Sequence, residues 1–387
     1  MMVTVNLDSL GGLVCTLPVS SDASLREVKV AVQDTTRIPW NEQRLIINNA
    51  ERRDEDLIST FLQGAVLDVT LIRRSPEQAK WLSIVGVDGL CLQDAPPCIQ
   101  ADPEIVLEAV SECGMALRFS SEDLRSNRQI VLAAVQQDAS ALELASSKIL
   151  EDREIVLVAV KKNWTVLEDL PDHLKADLDV VIAAVQQDDR AFFLAADEMH
   201  VNRSVVLVAV RRNGNVLEYL AEEFKADHEI VCIAVTQCGL ALEYAAAPLK
   251  ADHAIVLAAV TQDGNALQFA SDQLRADVGI SCAAVSQTGE ALEYASAEIC
   301  ANREVVLSAV RQHGDVLGHA SVELRGDYEV VLAAVQQSAI AIAHAAAWLQ
   351  AERELCLLAV MQNGRALEYV AEELRADREL VSAAVHQ

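Results

Sequence analysis

The sequence predicts a small mixed α/β domain over residues 1–74, a linker over residues 75–79 and an all-α solenoid of about twelve 25-residue helical hairpins over residues 80–387. Three observations lead to this fold class. An Ala-Val dipeptide recurs every 25 residues from Ala109-Val110 to Ala384-Val385 without an insertion. Each unit contains two apolar stretches with helical spacing. Residues 3–72 instead alternate apolar and polar side chains, as strands do.

The opening domain has the pattern of a sheet crossed by one helix. The predicted strands cover residues 3–7, 15–19, 45–47 and 67–71. Gly11-Gly12 separates the first two strands and predicts a β-hairpin. Ser24 or Asp22 can cap the following helix, whose apolar stripe ends at Val32.

The unit at residues 251–275 shows the pattern of one repeat. Asp252 can cap the start of a helix of about ten residues, which is apolar nearly all round and is therefore expected to be fully buried. Gly264 is expected to end this helix in the left-handed conformation. The second half is expected to form the outer layer and to restart as a short helical turn at Ser271. Because one unit cannot bury its own apolar face, neighbouring units are expected to stack.

A set of short runs in the opening domain keeps the order and gaps of a known family. These runs are Val28-Lys29, Val32-Gln33-Asp34, Ile38-Pro39 and Gln43-Arg44-Leu45-Ile46. In them the domain resembles ubiquitin, and the resemblance implies a ubiquitin-like β-grasp fold. No diglycine follows Arg73-Arg74, so the resemblance implies a built-in domain rather than a conjugated tag.

Members of that family bind partners through an apolar patch on the sheet, and the resemblance implies a partner-binding patch here. Leu10 and Ile46 match two members of the patch, whereas Asp68 and Thr70 stand where the family has a histidine and a valine. This change is expected to weaken binding to the usual ubiquitin receptors. If a partner docks on Leu10, Arg44 and Ile46, the substitution Ile46→Ala should abolish capture by proteasome or ubiquitin-receptor baits. The alternative is that Leu10 and Ile46 are ordinary half-exposed sheet residues.

The array carries a second resemblance. The matching positions are Gly289, Ala291, Leu292, Tyr294, Ala295, Ser296, Glu298, Asn302, Glu304, Val305, Val306 and Leu307. Over about residues 80–387 the array is similar to the helical repeats of domain of unknown function 4116, which implies a fold and no activity. The sequence stops after the first half of a unit, so Leu380 and Val381 are expected to need a cover from a partner, a second copy or further residues.

The formal net charge of −27 limits the partners of the chain. Residues 1–76 hold eight basic and ten acidic side chains, a net of −2, so the array carries the other −25. Such an acidic surface argues against nucleic acid and anionic membranes as partners. Neither a membrane span nor a secretory signal is expected from the sequence. Nine cysteines without a CxxC pair fit a reducing compartment, which predicts an intracellular, cytoplasmic protein.

The constant spacing turns each slot of the repeat into a column. A column of glutamines, two residues past the valines, could hydrogen-bond the backbone of an extended peptide. Its members are Gln187, Gln237, Gln262, Gln287, Gln312 and Gln337. The alternative is that these amides bond the free carbonyls of helix ends or one another.

Charged and aromatic side chains form further columns. The acidic column is Glu143, Glu168, Glu218, Glu243, Glu293 and Glu368, and the aromatic column is Phe119, Tyr219, Tyr244, Phe269, Tyr294 and Tyr369. Charged columns are expected to brace a solvated face. His319 and His344 fill the aromatic slot in two consecutive repeats and could share a metal ion, but no third ligand is evident.

Enzyme signatures such as a P-loop, GxSxG or HExxH are absent from the sequence, so a non-catalytic protein without cofactor, metal or small-molecule substrate is expected. Cys113 and Cys238 are the candidates for a nucleophile. We therefore expect a protein–protein adaptor: the head docks one partner, for which the ubiquitin–proteasome machinery is a candidate, and the acidic array binds a second protein or peptide. The alternatives are a structural spacer in a larger assembly and the substrate-receptor subunit of a ubiquitin ligase.

Overall fold

The computed structural model describes residues 2–9, 11–48, 50–51, 54–62 and 64–385 of the chain. The chain divides into two compact units, residues 1–174 and residues 175–387. The first unit contains the mixed sheet and the opening repeats, and the second contains the later repeats. The predicted combination of a small sheet domain and an array of 25-residue helical units is confirmed.

A mixed sheet opens the first unit. Its strands are β1 (Met2–Ser9), β2 (Gly12–Ser20), β3 (Gln43–Ile47), the two-residue β4 (Ala50–Glu51) and β5 (Val66–Arg73). The order across the sheet is β2-β1-β5-β3-β4, in which β1 and β5 are parallel and the other neighbours antiparallel. Short 3₁₀ helices at Trp40–Glu42 and Ile58–Thr60 connect these elements.

One helix, α1 (Leu25–Thr36), crosses the sheet. Ser24 and Glu27 form a capping box at its start, because each side chain bonds the backbone N–H of the other residue. Leu25, Val28 and Val32 are buried against the inner face of the sheet. This strand order around a single helix fits a ubiquitin-like β-grasp domain.

The segment expected as a linker is helical. Ser75 caps the helix Pro76–Val85 and forms a capping box with Gln78, while Pro76 occupies the first turn. A Ser-Pro-x-Gln sequence favours a helix start at this point. Only Arg74 and the capping Ser75 separate β5 from this helix, so the sheet continues into the array without the hinge that the composition suggested.

Each full repeat contains a long α-helix, a six-residue 3₁₀ helix and, in most repeats, a four-residue α-helix. The long helices are Pro103–Glu112, Arg128–Gln137, Arg153–Lys162, Leu178–Val185, Arg203–Arg212, His228–Gln237, His253–Gln262, Val278–Gln287, Arg303–Gln312, Tyr328–Gln337, Arg353–Gln362 and Arg378–Val385. The 3₁₀ helices are Gly89–Asp94, Gly114–Phe119, Ala139–Leu144, Trp164–Asp169, Asp189–Leu194, Gly214–Tyr219, Gly239–Tyr244, Gly264–Phe269, Gly289–Tyr294, Gly314–His319, Ala339–His344 and Gly364–Tyr369. The predicted array of 25-residue helical units is confirmed, and the structure adds that the second helix of each unit is a 3₁₀ helix.

The short helices follow the 3₁₀ helices. They are Pro97–Gln100, Glu122–Arg125, Ser147–Leu150, Asp172–Lys175, Asp197–His200, Glu222–Lys225, Asp272–Arg275, Ala297–Cys300, Val322–Arg325 and Glu372–Arg375, with a 3₁₀ turn, Leu249–Ala251, in place of one. Ser271 starts the short helix Asp272–Arg275 as the sequence predicted, since its hydroxyl accepts from the N–H of Leu274.

The long helices are buried on one side only. In His253–Gln262, Asp252 caps the first turn as predicted, and Ile255, Val256, Ala259 and Val260 are fully buried. Leu257 lies on the opposite side and is 37% exposed. The expectation of a helix buried all round is therefore wrong, because the four buried positions form a single stripe.

The glycine that follows most long helices is needed for close packing. Gly264 begins a 3₁₀ helix, and it does not have the positive φ that Gly12 adopts in the β1–β2 turn. A Cβ atom at Gly264 would lie 2.3 Å from the carbonyl oxygen of Ala284 and 2.9 Å from Cβ of Thr288. The missing side chain therefore lets the next long helix approach closely. The prediction that Gly264 ends the helix in the left-handed conformation is wrong.

Backbone hydrogen bonds also connect consecutive repeats of the second unit. The N–H at the cap of one short helix donates to the carbonyl at the end of the preceding short segment, as in Ser271 to Lys250 at 2.9 Å and Ser321 to Cys300 at 2.8 Å. In the same unit, a continuous apolar core extends from Val285 to Leu380. Leu380, which was expected to lack a cover, is fully buried in that core, whereas Val381 is 37% exposed.

Candidate functional site

The glutamine column lies at the junctions between repeats. The Nε2 group of Gln262 donates to the carbonyl of Gln237 at 3.4 Å, and its Oε1 accepts from the N–H of Gly239 at 2.5 Å. Gln287, Gln312 and Gln337 donate to backbone carbonyls of the preceding repeat in the same way. Gln187 is half-buried and Gln237 exposed. These amides bond the free carbonyls at helix ends. This observation favours the structural role that the sequence left open over binding of an extended peptide.

Two basic residues take the same slot and make the same bond. In the first unit, Lys162 Nζ donates to the carbonyl of Gln137 at 2.6 Å. In the second unit, Arg212 Nη2 donates to the carbonyl of Gln187 at 2.5 Å. Since carbonyls at a helix end carry the negative end of the helix dipole, donors in this slot stabilise the junction.

The face of the long helices is braced by ion pairs between repeats. Arg303 Nε donates to the carboxylate of Asp327 at 3.0 Å, and its Nη2 contacts Glu329. The hydrogen bond from Arg303 lowers the pKa of Asp327. Arg353 makes the equivalent bonds to Asp377 and Glu379 one pair of repeats later. Positive and negative side chains therefore alternate on this face, and these arginines pair with carboxylates of the next repeat.

The face of the 3₁₀ helices is different, and in the second unit it contains two open cavities. The tyrosine cavity has a volume of about 510 Å³, and the histidine cavity has a volume of about 500 Å³. Leu240 lines both cavities, so they adjoin along the array. We define the tyrosine cavity by Asp189, Phe193, Glu218, Tyr219, Glu243 and Tyr244, and the histidine cavity by Glu290, Glu293, Tyr294, His313, Asp315 and His319.

The 3₁₀ geometry brings these side chains together. Side chains three residues apart eclipse one another in a 3₁₀ helix. In Gly289–Tyr294, Glu290 and Glu293 therefore lie on the same outward row, while Ala291 and Leu292 are fully buried. The aromatic residue comes next in the sequence and borders this row, so carboxylates and aromatic rings share one surface.

Exposed rings line the tyrosine cavity. Tyr219 is 63% exposed and Phe193 is 45% exposed, although both are large side chains. Their rings meet edge to face, with centroids 5.1 Å apart and an angle of 86° between the planes. This packing holds the rings in place and leaves the face of at least one of them open to a ligand.

Negative charge dominates the same cavity. The charge of Glu218 raises the pKa of Tyr219, and burial together with the charge of Glu218 raises the pKa of Tyr244. Asp189 accepts a hydrogen bond from Asn213 at 2.8 Å. No lysine or arginine is among the described residues that line either cavity. The field at the rings therefore favours a cation.

The histidine cavity has the same acidic character with fewer rings. Glu290, Glu293 and Asp315 supply three carboxylates, and Tyr294 supplies the aromatic wall. His313 Nδ1 lies 3.8 Å from a carboxylate oxygen of Glu290, a distance that gives an ion pair only when the imidazole is protonated. The acidic column and the aromatic column of the sequence thus both contribute side chains to these cavities.

Comparison with known families agrees with the repeat architecture. The family described as Domain of unknown function (DUF4116) matches residues 81–125, 102–150, 127–175, 152–200, 202–250, 252–300, 302–350 and 352–387. These matches cover most of the chain. The chain belongs to this family. No curated protein matches it.

The sheet domain that precedes the DUF4116 repeats holds the predicted partner patch in part. Leu10 lies outside the described residues. Ile46 pairs in register with Thr70, and Asp68 accepts a hydrogen bond from Asn6 at 3.0 Å. Arg44 is tied to the array, because its guanidinium lies 3.9 Å from Glu104 in the first long DUF4116 helix.

Arg74 fixes the sheet domain to the first DUF4116 repeat. Its guanidinium donates to both Glu104 and the carbonyl of Gln43, and its side chain is only 10% exposed. The backbone N–H of Arg74 donates to the carbonyl of Glu42 at 2.8 Å. A partner of the sheet patch would therefore meet the first DUF4116 repeat beside Arg44.

The remaining candidates are a metal site, a membrane span and the cysteines. Within the described residues, no group of three or more His, Cys, Asp or Glu side chains is arranged to hold a metal ion, and no helix has the length and apolarity needed to cross a bilayer. Cys113 and Cys238 are half-exposed, and Cys238 lines the tyrosine cavity. Cys356 is fully buried, and burial raises the pKa of its thiol to about 11.

Proposed function

We propose that this protein is a non-catalytic binding scaffold whose second unit binds an extended, basic segment of another protein on the face of its 3₁₀ helices. One observation carries the proposal: six carboxylates and four aromatic rings, of which Phe193 and Tyr219 are exposed, line two adjoining cavities without a lysine or arginine. Guanidinium and ammonium groups bind both kinds of side chain, through ion pairs and through contact with aromatic faces.

The mixed charge of the long-helix face supports this assignment. A third cavity, on the long-helix face, is lined by Arg303 and Arg311 together with Glu329. A basic ligand would there meet two arginines, of which Arg303 already pairs with Glu329. The 3₁₀ face is therefore the better match for a basic partner, since like charges in contact disfavour binding.

A titration tests the proposal. A fluorescein-labelled oligo-arginine peptide is added to the full chain, and binding is followed by fluorescence anisotropy at low and at physiological ionic strength. We expect the double substitution Glu218→Gln/Glu243→Gln to weaken binding by about tenfold, because each lost ion pair contributes roughly 0.5–1 kcal/mol at an exposed site. Added salt should weaken binding of the wild-type chain as well.

The matched control for this titration removes the same charge elsewhere. Glu372 and Glu373 are exposed in a short helix outside both cavities, so Glu372→Gln/Glu373→Gln should leave the affinity within about twofold of wild type. Equal weakening by both double variants would show that only net charge attracts the peptide. That result, or an absence of binding by the wild-type chain, would refute the proposal.

The sheet domain is a second candidate binding site, which would make the protein an adaptor. The observation in its favour is the accessible row of Ile46, Asp68 and Thr70 on the sheet. Ile46→Ala should abolish capture by a purified ubiquitin receptor if this row binds such a partner, with Glu372→Gln as the control. A wild-type chain that captures no receptor would remove this candidate. The many bonds between repeats also suit the alternative role of a structural spacer.

A further inference from the structure

The two cavities of the 3₁₀ face differ in composition and lie a fixed number of repeats apart. Tyr219 and Tyr294 occupy the same slot three repeats apart, since 294 − 219 = 75 residues. Packed helices are spaced by roughly 8–10 Å, which places these rings about 25–30 Å apart along the second unit. An extended chain covers this distance in about eight residues at roughly 3.3–3.6 Å per residue.

We propose that the partner segment carries two cationic side chains about eight residues apart, one arginine in the tyrosine cavity and one lysine or arginine in the histidine cavity. This inference rests on the proposed function and names the pattern that the partner must have. Leu240 forms a shared wall between the cavities and is 37% exposed, so an apolar or small residue of the segment contacts it midway.

The tyrosine cavity is assigned to arginine because of its rings. Phe193 and Tyr219 meet edge to face, and Tyr244 lines the same cavity. The planar guanidinium stacks on aromatic faces and binds carboxylates with two parallel hydrogen bonds, whereas an ammonium is a strongly hydrated point charge. Asp189, Glu218 and Glu243 surround these rings and can accept such bonds.

The histidine cavity discriminates less between the two cations. It offers one tyrosine ring, Tyr294, with three carboxylates, and His313 and His319 also line it. A compact ammonium can pair with Glu290, Glu293 or Asp315 without a stacking partner. The segment should therefore prefer arginine strongly at one position and only weakly at the other.

Occupying both cavities with one chain strengthens binding without further contacts. Once the first cation is bound, the second binds at the effective concentration that the connecting residues allow. This gain is lost when the spacing prevents simultaneous contact. The dependence of affinity on the spacing of the two cations therefore distinguishes a segment that occupies both cavities from a basic peptide that is attracted only by the acidic surface.

The test uses labelled peptides of equal length and composition, with two arginines separated by four, eight or twelve residues in a glycine–serine background. Binding to the full chain is measured by fluorescence anisotropy. We expect the eight-residue spacing to bind at least about tenfold more tightly than the four-residue spacing. Replacing the tyrosine-cavity arginine by lysine should weaken binding about threefold or more, and replacing the other should change it less.

Two variants complete the test. Glu218→Gln/Glu243→Gln and Glu290→Gln/Glu293→Gln should each reduce the advantage of the eight-residue spacing to less than about threefold, whereas Glu372→Gln/Glu373→Gln should preserve it. If all spacings bind equally, the two-cation inference fails while binding of basic segments stands. If none of the peptides and no oligo-arginine binds, the proposed function itself fails. Circular dichroism of each variant verifies that the fold is retained.

Discussion

Replacing Leu267 with alanine is expected to destabilise the second unit by about 2–5 kcal/mol, the range found for removing a large side chain from a packed core. Leu267 lies in a 3₁₀ helix and is fully buried beneath the row that lines the cavities. The smaller side chain leaves a void, because packing on the neighbouring repeats restricts collapse. Chemical unfolding of the full chain, followed by circular dichroism, measures the loss in the free energy of unfolding.

The matched control is Leu257→Ala in the long helix of the same repeat. Leu257 is 37% exposed, so its truncation removes less buried surface and places a good helix former in a helix. We expect a loss of about 1 kcal/mol or less. If Leu257→Ala costs as much as Leu267→Ala, the long helix is buried on both sides and the described packing is incorrect.

Gly264→Ala is expected to lower the free energy of unfolding by about 1–3 kcal/mol, as overpacking of a core does. The added methyl group would lie 2.3 Å from the carbonyl oxygen of Ala284, so the next long helix must move. Ala139 and Ala339 occupy this slot in other repeats, so the repeat accepts a methyl group at this position when its neighbours suit it. The expected cost is therefore moderate, and unfolding is measured as for Leu267→Ala.

Gly279→Ala provides the control for this substitution. Gly279 lies in the long helix Val278–Gln287, and an added Cβ atom would approach only the Asp277 side chain, at 3.2 Å. Alanine favours the helical conformation and restricts the unfolded chain, so stability should rise by up to about 1 kcal/mol. Destabilisation by Gly279→Ala equal to that by Gly264→Ala would contradict the close approach of Gly264 to the next repeat.

The fold of the sheet domain was predictable because local signals agreed with one another. Apolar alternation located the strands, Gly11-Gly12 located the hairpin turn, and Ser24 located the helix start. The β-grasp fold was implied by the resemblance to ubiquitin. The contact of Arg44 and Arg74 with Glu104 was not predictable, because it joins residues far apart in the sequence.

The second helix of each repeat was predicted, but its 3₁₀ type was not. Ala266, Leu267 and Phe269 have a spacing that suits an α-helix and a 3₁₀ helix equally well over six residues. Without the 3₁₀ type the candidate site was not visible, because side chains three residues apart eclipse in a 3₁₀ helix and this places Glu290 beside Glu293. The acidic and aromatic columns were visible in the sequence. Glu290 and Asp315, each five residues after a repeat valine, lie close to these columns in the sequence and could have pointed to the cavities.

The glutamine column shows a different limit of sequence reasoning. Regular spacing showed that these amides lie in register, and two uses remained open: a ladder for a peptide or closure of helix ends. The choice depends on distances of about 3 Å across a repeat junction, such as Gln312 to the carbonyl of Val285 at 2.9 Å. A sequence pattern does not contain those distances.

The most direct measurement of basic-segment binding uses the thiols of the unaltered chain. Cys238 lines the tyrosine cavity, and Cys113 occupies the same slot of a repeat in the first unit, where Arg118 takes the place of the glutamate. The full chain is alkylated with a maleimide with and without saturating oligo-arginine, and each cysteine is quantified by mass spectrometry. We predict that the peptide slows alkylation of Cys238 by at least about fivefold, because it occupies the cavity, and leaves Cys113 unchanged. An unchanged rate at Cys238, or equal slowing at both thiols, would contradict binding in the tyrosine cavity.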